Sequence, residues 1–174
     1  RCNDDSKEKR IQMVTSSTSP EGPYDKPSWI HDDGIDPSIF HDDDGKKYML
    51  LNRGARIFQL SSDCREKIGE ASLLWLGECR KNPEGPHILK KDGFYYLFLA
   101  EGGTGMGHRV TCARAKNLYG PYEPCPHNPI VRQNDEMQIL QCCGHGMAVD
   151  TPSGDWYMAY LTLRHSKDGY GFTG

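Results

Sequence analysis

Three stretches of the chain share one layout, and their spacing constrains the fold more than any other feature. They are Ile39-Phe40-His41-Asp42-Asp43-Asp44-Gly45-Lys46-Lys47-Tyr48-Met49-Leu50, then Ile88-Leu89-Lys90-Lys91-Asp92-Gly93-Phe94-Tyr95-Tyr96-Leu97-Phe98, then Met147-Ala148-Val149-Asp150-Thr151-Pro152-Ser153-Gly154-Asp155-Trp156-Tyr157-Met158. Each is a short apolar strand, a turn ending in glycine and a second strand rich in aromatic residues. Glycine between apolar runs marks a hairpin, because the tight turn needs a positive φ that glycine adopts without strain. A second repeat lies between the hairpins: Gly22-Pro23-Tyr24 follows Met13-Val14-Thr15-Ser16-Ser17, and Gly120-Pro121-Tyr122 follows Val110-Thr111-Cys112-Ala113-Arg114. Gly45 and Gly93 stand 48 positions apart, and Gly22 and Gly120 stand 98 apart. A unit of about 50 residues built from short strands is the size of a propeller blade. The third hairpin comes late, which predicts an inserted loop around residues 124–135. No segment keeps a helical period, the best candidate being the polar stretch 63–71, so the fold class is all-β.

The phase of the repeat predicts how the blades are cut. Residues 9–30 match the second half of a blade. The expected division is a half blade over 1–30, whole blades over 31–83 and 84–143, and a half blade over 144–174. Propellers close with about four to eight blades. Two whole and two half blades do not close, so the expectation is an internal fragment, with missing blades or another subunit needed to complete the ring.

Charge and composition exclude several partners. The formal net charge of -3, with both signs dispersed, leaves no basic stripe for nucleic acid. Apolar runs such as residues 94–100 are far shorter than the roughly 20 residues that span a bilayer as a helix. The N-terminal Arg1-Cys2-Asn3-Asp4-Asp5 lacks the apolar core of a signal peptide. The compartment is left open, with a lean to the cell exterior. The seven cysteines include no CxxC pair, which argues against a zinc ribbon. Adjacent Cys142 and Cys143 with His145 offer the donors of a soft metal site, but thiolates fixed side by side seldom bind one ion well, and the plainer reading is buried or disulfide-bonded cysteines.

Blade-opening strands line the central channel of a propeller, so residues at matching positions converge there. Asp36, Glu84 and the Gly144-His145-Gly146 segment occupy comparable places, just before the first strand of successive blades. Two carboxyl groups across a glycosidic bond are what its hydrolysis needs: one protonates the leaving oxygen, the other activates water or attacks the sugar. A third acid nearby holds the proton donor's pKa up by like-charge repulsion. The plain alternatives are that Asp36 is a turn residue, Glu84 an exposed loop charge, and His145 a buried histidine bonded to backbone. Asp42-Asp43-Asp44 reads as a solvated hairpin tip. The glycine-rich Glu101-Gly102-Gly103-Thr104-Gly105-Met106-Gly107-His108 leads into a strand rather than a helix, unlike a phosphate loop, and fits a close backbone approach to a sugar.

At these residues the sequence resembles glycoside hydrolase family 43, in its β-xylosidase and α-L-arabinofuranosidase branch. The matching segments are Gly34-Ile35-Asp36-Pro37-Ser38-Ile39-Phe40 with Asp44-Gly45-Lys46, Glu84-Gly85-Pro86-His87, Ala100-Glu101-Gly102-Gly103-Thr104 with His108, Ala113-Arg114 with Gly120-Pro121-Tyr122, Asn128-Pro129-Ile130, and Gly144-His145. They occur in family order over residues 11–164. The resemblance implies a five-bladed β-propeller and hydrolysis of β-1,4-xylosides or α-L-arabinofuranosides, the linkages of xylo-oligosaccharides and arabinosyl side chains, with inversion. It implies Glu84 as general acid and Asp36 as the residue that tunes and orients it. Thr104 would lie close to the sugar. His145 would stand at the channel, near the sugar or a central ion, often calcium, while no cofactor is required for the chemistry.

The departures from the family pattern are specific. The Pro-Asp-Pro motif that carries the family's general base does not occur in the sequence, which puts that base outside the chain. The late Gly-Arg-Glu segment is not recognisable in Gly169-Tyr170-Gly171-Phe172-Thr173-Gly174, and Arg164 is no clear replacement. Asn52-Arg53-Gly54 lacks the tryptophan that many xylosidases place near the site. The competing expectations are a non-catalytic carbohydrate-binding propeller without the base, and a scaffold propeller. A β-fructosidase is disfavoured because its Arg-Asp-Pro and Glu-Cys motifs are absent.

Overall fold

The computed structural model describes residues 2–3, 10–165 and 172–173. Residues 169–174, where the family pattern would place its Gly-Arg-Glu segment, lie outside them apart from Phe172–Thr173. The described residues are all strand, turn and loop, in four antiparallel sheets taken in chain order. The first holds β1 (Cys2–Asn3), β2 (Arg10–Val14) and β3 (Ser28–Ile30). The second holds β4 (Ser38–His41), β5 (Lys47–Leu51), β6 (Ala55–Leu60) and β7 (Lys67–Trp75). The third holds β8 (Glu84–Lys91), β9 (Phe94–Glu101), β10 (Arg109–Ala115) and β11 (Glu123–Pro124). The fourth holds β12 (Leu140–Asp150), β13 (Trp156–His165) and β14 (Phe172–Thr173). The candidate helix at 63–71 is instead a turn leading into β7.

The three predicted hairpins are β4–β5, β8–β9 and β12–β13. Each is the inner pair of its sheet. The two Gly-Pro-Tyr segments are also equivalent: the Tyr24 hydroxyl donates to the Pro20 carbonyl at 2.9 Å, and the Tyr122 hydroxyl to the Leu118 carbonyl at 3.0 Å. Both segments lead from the strand next to a sheet edge, β2 or β10, to the edge strand, β3 or β11. The late third hairpin is explained by residues 125–139, which fold back over β10 through a bridge between Val110 and Val131.

Alternation along the strands explains how the sheets stack. Successive side chains of a strand point to opposite faces, and in β5 both faces are apolar. Tyr48 and Leu50 join Phe40, Ile57, Leu97 and Leu99 in the layer between the second and third sheets. Met49 and Leu51 join Ile30, Phe58 and Leu60 in the layer between the first and second. A third layer sets Phe98, Val110 and Cys112 against Ala148 and Met158 of the fourth sheet. Face-to-face stacking of sheets around a common axis is the construction of a propeller. The terminal sheets each present apolar residues to solvent: Met13 and Trp29 on the first, Val149, Tyr157 and Leu161 on the fourth.

The acidic run at the first hairpin is not simply a solvated tip. Asp42 takes a hydrogen bond from Lys90 Nζ at 2.6 Å and another from the Tyr95 hydroxyl at 2.7 Å, joining the second sheet to the third. Desolvation pushes its carboxyl up, but the bonds from Lys90 and Tyr95 prevail and hold it below the usual range. Asp43 and Asp44 stay exposed.

Candidate active site

β8 stands between β4 and β12 and meets both near its own start, where the sequence places Glu84. Asp36 precedes β4 by two residues, and Glu84 is the first residue of β8. Asp36 Oδ2 accepts a hydrogen bond from the Gly85 N–H at 3.1 Å, next to Glu84. The Ser38 hydroxyl donates to the Pro86 carbonyl at 2.5 Å. His145 differs from expectation: it lies within β12 rather than ahead of it, at a break in the register with β13. It nevertheless reaches the same place. A Cβ built on Gly85 would come within 2.7 Å of His145 Nε2, and the His87 and His145 rings lie 6.2 Å apart.

The backbone at these positions is unusual. Asp36 has φ 56° and His145 φ 51°, the left-handed region that side-chain-bearing residues seldom adopt. Such strain persists where the surrounding structure over-determines it, and it concentrates at functional sites. Gly85 shares that conformation at φ 56°. Gly85→Ala adds both a strained residue and a methyl group inside the His145 ring. The expected result is a loss of about 2–4 kcal/mol in urea unfolding, from backbone and overpacking together.

A bonded frame positions Glu84. The Asn52 side chain accepts from the Ile35 N–H at 2.9 Å, and the Asn52 N–H donates to the Ile35 carbonyl at 3.2 Å. The adjoining Arg53 and Gly54 N–H groups both donate to the Pro83 carbonyl, at 3.1 and 3.3 Å. The β5–β6 turn thereby ties the Asp36 segment to the residue before Glu84. On the other side, Glu84 pairs with Ala100 of β9, and the register breaks between Glu84 and His87. A bulge of this kind re-aims a side chain.

Glu84 lines an open cleft of about 700 Å³ with Asn52, Arg53, Leu76, Arg80, Asn82, Pro83, Gly103 and Thr104. Thr104 is exposed at its edge. Asp36 faces a neighbouring hollow of about 430 Å³, shared with Gln12, Met13 and Gly34. The cleft wall depends on a residue whose role the sequence did not reveal. Glu101 is fully buried. Its carboxylate accepts from the Glu78 N–H at 2.9 Å, the Arg80 N–H at 2.8 Å and the Thr111 hydroxyl at 2.6 Å. Its place at the end of an apolar strand, beside a glycine-rich loop, is the one signal that could have marked it.

His87 is pushed below its ordinary pKa, first by burial and then by the neighbouring His145, with Asp36 opposing. A histidine with a depressed folded pKa binds its proton more readily when unfolded. Stability is therefore full above the ordinary value of 6.5 and declines as pH falls below it. The thermal midpoint should drop between pH 7 and 5, and the drop should shrink in His87→Gln. The lowered carboxyls Asp25 and Asp42 act in a separate, more acidic window, below their ordinary value of 3.8.

Among the described residues, no three His, Cys, Asp or Glu side chains gather closely enough to hold a metal ion. Calcium seeks oxygen ligands, whereas His145 lies against Gly85 with its ring 6.2 Å from the imidazole of His87, a nitrogen donor pair that does not fit calcium. Cys142 and Cys143 are buried free thiols, with Cys142 Sγ 3.9 Å from Met106 Sδ and Cys143 Sγ 3.6 Å from the Thr162 hydroxyl.

Comparison with known proteins agrees with this architecture. The chain is 40% identical over 173 residues to a xylan 1,3-beta-xylosidase of a Vibrio species, covering 91% of this chain and 32% of that protein. It is 40% identical over 164 residues to a beta-xylosidase of Bacillus subtilis, covering 87% of this chain and 31% of that protein. The fold superposes on a xylan beta-1,4-xylosidase of Bacillus halodurans with TM-score 0.87 at 35% identity, over 93% of this chain and 33% of that one. The chain thus spans about a third of the length of these relatives, and its sheets are part of the five-bladed propeller of such proteins. The family model described as glycosyl hydrolases family 43 matches residues 1–174, and the chain belongs to that family.

Proposed function

We propose that the site hydrolyses β-1,4-xylosides or α-L-arabinofuranosides of hemicellulose from their non-reducing ends, with inversion. The observation that carries this reading is the bond from the Gly85 N–H to Asp36, which ties a second carboxylate to the residue next to Glu84, between the sugar-sized cleft of Glu84 and the hollow beside it. Glu84 delivers the proton to the departing oxygen. Asp36, held by the Gly85 N–H, orients that segment and so fixes where Glu84 stands. Thr104 at the cleft edge and His145 against Gly85 contact the sugar.

Inversion requires a base carboxylate roughly 6.5 to 9.5 Å from the acid, with a water between. That base comes from outside the 174 residues, from further blades or another subunit whose sheets cover the apolar faces of the first and fourth sheets. The relatives' names support xylose and arabinose alike: one is a xylosidase/arabinosidase of Humicola insolens, another an alpha-L-arabinofuranosidase of Bacteroides ovatus.

The test is hydrolysis of nitrophenyl β-xyloside, nitrophenyl α-L-arabinofuranoside and xylobiose by the full-length protein, with the anomer of the released sugar read by proton NMR. Release of the inverted anomer supports the reading. Release of the retained anomer overturns it, and sugar binding without turnover points to a carbohydrate-binding propeller.

A further inference from the structure

His108 touches neither the cleft nor the acids, yet it is built tightly into the structure beside them. It is 1% exposed. Its ring lies against the backbone of Gly144, where a Cβ would come within 2.4 Å of it. Its Nδ1 lies 2.8 Å from the Cys142 carbonyl oxygen. A carbonyl can only accept, so Nδ1 carries the hydrogen. Nε2 is then buried without a hydrogen-bond partner. An unpartnered buried nitrogen costs free energy, and an apolar side chain would fill the same space without that cost. What histidine adds at this position is the Nδ1–H donor.

That donor acts where β12 is least regular. Cys142 and His145 both have left-handed backbone, at φ 56° and 51°. The register with β13 shifts between Gln141 and Gly144, and again between Gly144 and Met147. A regular strand would send residue 145 out at an angle set by simple alternation. The double irregularity instead turns it toward Gly85.

We propose that His108 is a positioning residue for the sugar site: by bonding the Cys142 carbonyl and packing on Gly144, it sets the bulge that aims His145. This rests on the reading of His145 as a sugar contact.

The test uses the full-length protein with His108→Leu, His108→Asn, His145→Ala and the double variant His108→Leu/His145→Ala. Asparagine offers an N–H donor close to the place of histidine Nδ1. The expected result is a kcat/KM about 10-fold lower for His108→Leu on aryl xyloside and xylobiose alike, the cost of one buried hydrogen bond. His108→Asn should restore most of it, and His108→Leu should add nothing once His145 is alanine. Additive losses in the double variant overturn the proposal. A second readout does not depend on turnover: the His145 ring resonance in the proton–carbon NMR spectrum should move in His108→Leu and hold its place in His108→Asn. An unmoved resonance in His108→Leu also overturns the proposal. Failure of the hydrolysis reading shows separately, as missing turnover in the unsubstituted protein.

Discussion

Glu84→Gln should lower kcat/KM on xylobiose by about 10²–10⁴-fold, the usual worth of general acid catalysis, and on nitrophenyl xyloside by less than about 10-fold. The asymmetry follows from where the proton goes. A sugar alkoxide leaves only if it is protonated as the bond breaks, whereas nitrophenolate is stable enough to leave without help. The glutamine keeps the shape of Glu84 and its place at the start of β8, opposite Ala100, so the loss reports the missing proton rather than a collapsed cleft. Paired assays on the two substrates check it. Equal losses on both would remove Glu84 from the acid's role and leave it a binding residue. Asp36→Asn should behave differently, because it removes charge but keeps an oxygen for the Gly85 N–H. The segment keeps its place while the charge beside it goes, so kcat/KM should fall by a similar factor on xylobiose and on nitrophenyl xyloside, and the same paired assays check it.

The second large effect is on stability. Glu101→Ala should cost about 3–5 kcal/mol in urea unfolding, the range for breaking a buried charged hydrogen-bond group. The carboxylate is fully buried and serves three donors: Glu78 N–H, Arg80 N–H and the Thr111 hydroxyl. Truncation leaves all three without a partner and opens a cavity beneath Gly77, whose Cα side faces the carboxylate closely enough that a Cβ would meet Oε1 at 2.4 Å. The consequence extends to the cleft, because the freed segment supplies Leu76, Arg80 and Asn82 to its wall. Variants stable enough to assay should show a raised KM more than a lowered kcat, since the acid itself is untouched. Glu101→Gln should fall between Glu101→Ala and the unsubstituted protein, because the amide keeps one acceptor oxygen but turns an NH2 group toward a site that offers only donors.

The fold was largely legible in the chain because its evidence is local. Glycine turns such as Gly45, Gly93 and Gly154, all at positive φ, lie between alternating apolar strands, and those patterns depend on neighbours in sequence. The meeting of the Asp36, Glu84 and His145 segments was legible for a related reason: equal positions in a repeat become equal positions around an axis. The roles proposed for Asp36, Glu84 and His145 rest on the family resemblance together with their shared place in the repeat. Some readings failed where a side chain's partner lies far away in sequence. Asp42 looked like a solvated charge, but Lys90 and Tyr95 of the next sheet reach it. His145 looked like a residue before a strand, but β12 starts at Leu140 and bulges around it.

The sequence by itself therefore determined the all-β class, the repeating hairpins and the family, since these are written in short motifs and their spacing. Only the tertiary structure decided what holds the site in shape: Glu101 beneath the 77–80 segment, Asn52 between Ile35 and the β5–β6 turn, and His108 behind Gly144. Each of these is a buried or half-buried polar group whose free energy depends on finding its partner at hydrogen-bond distance. That distance is set by how sheets stack, and no pattern of neighbouring residues encodes it.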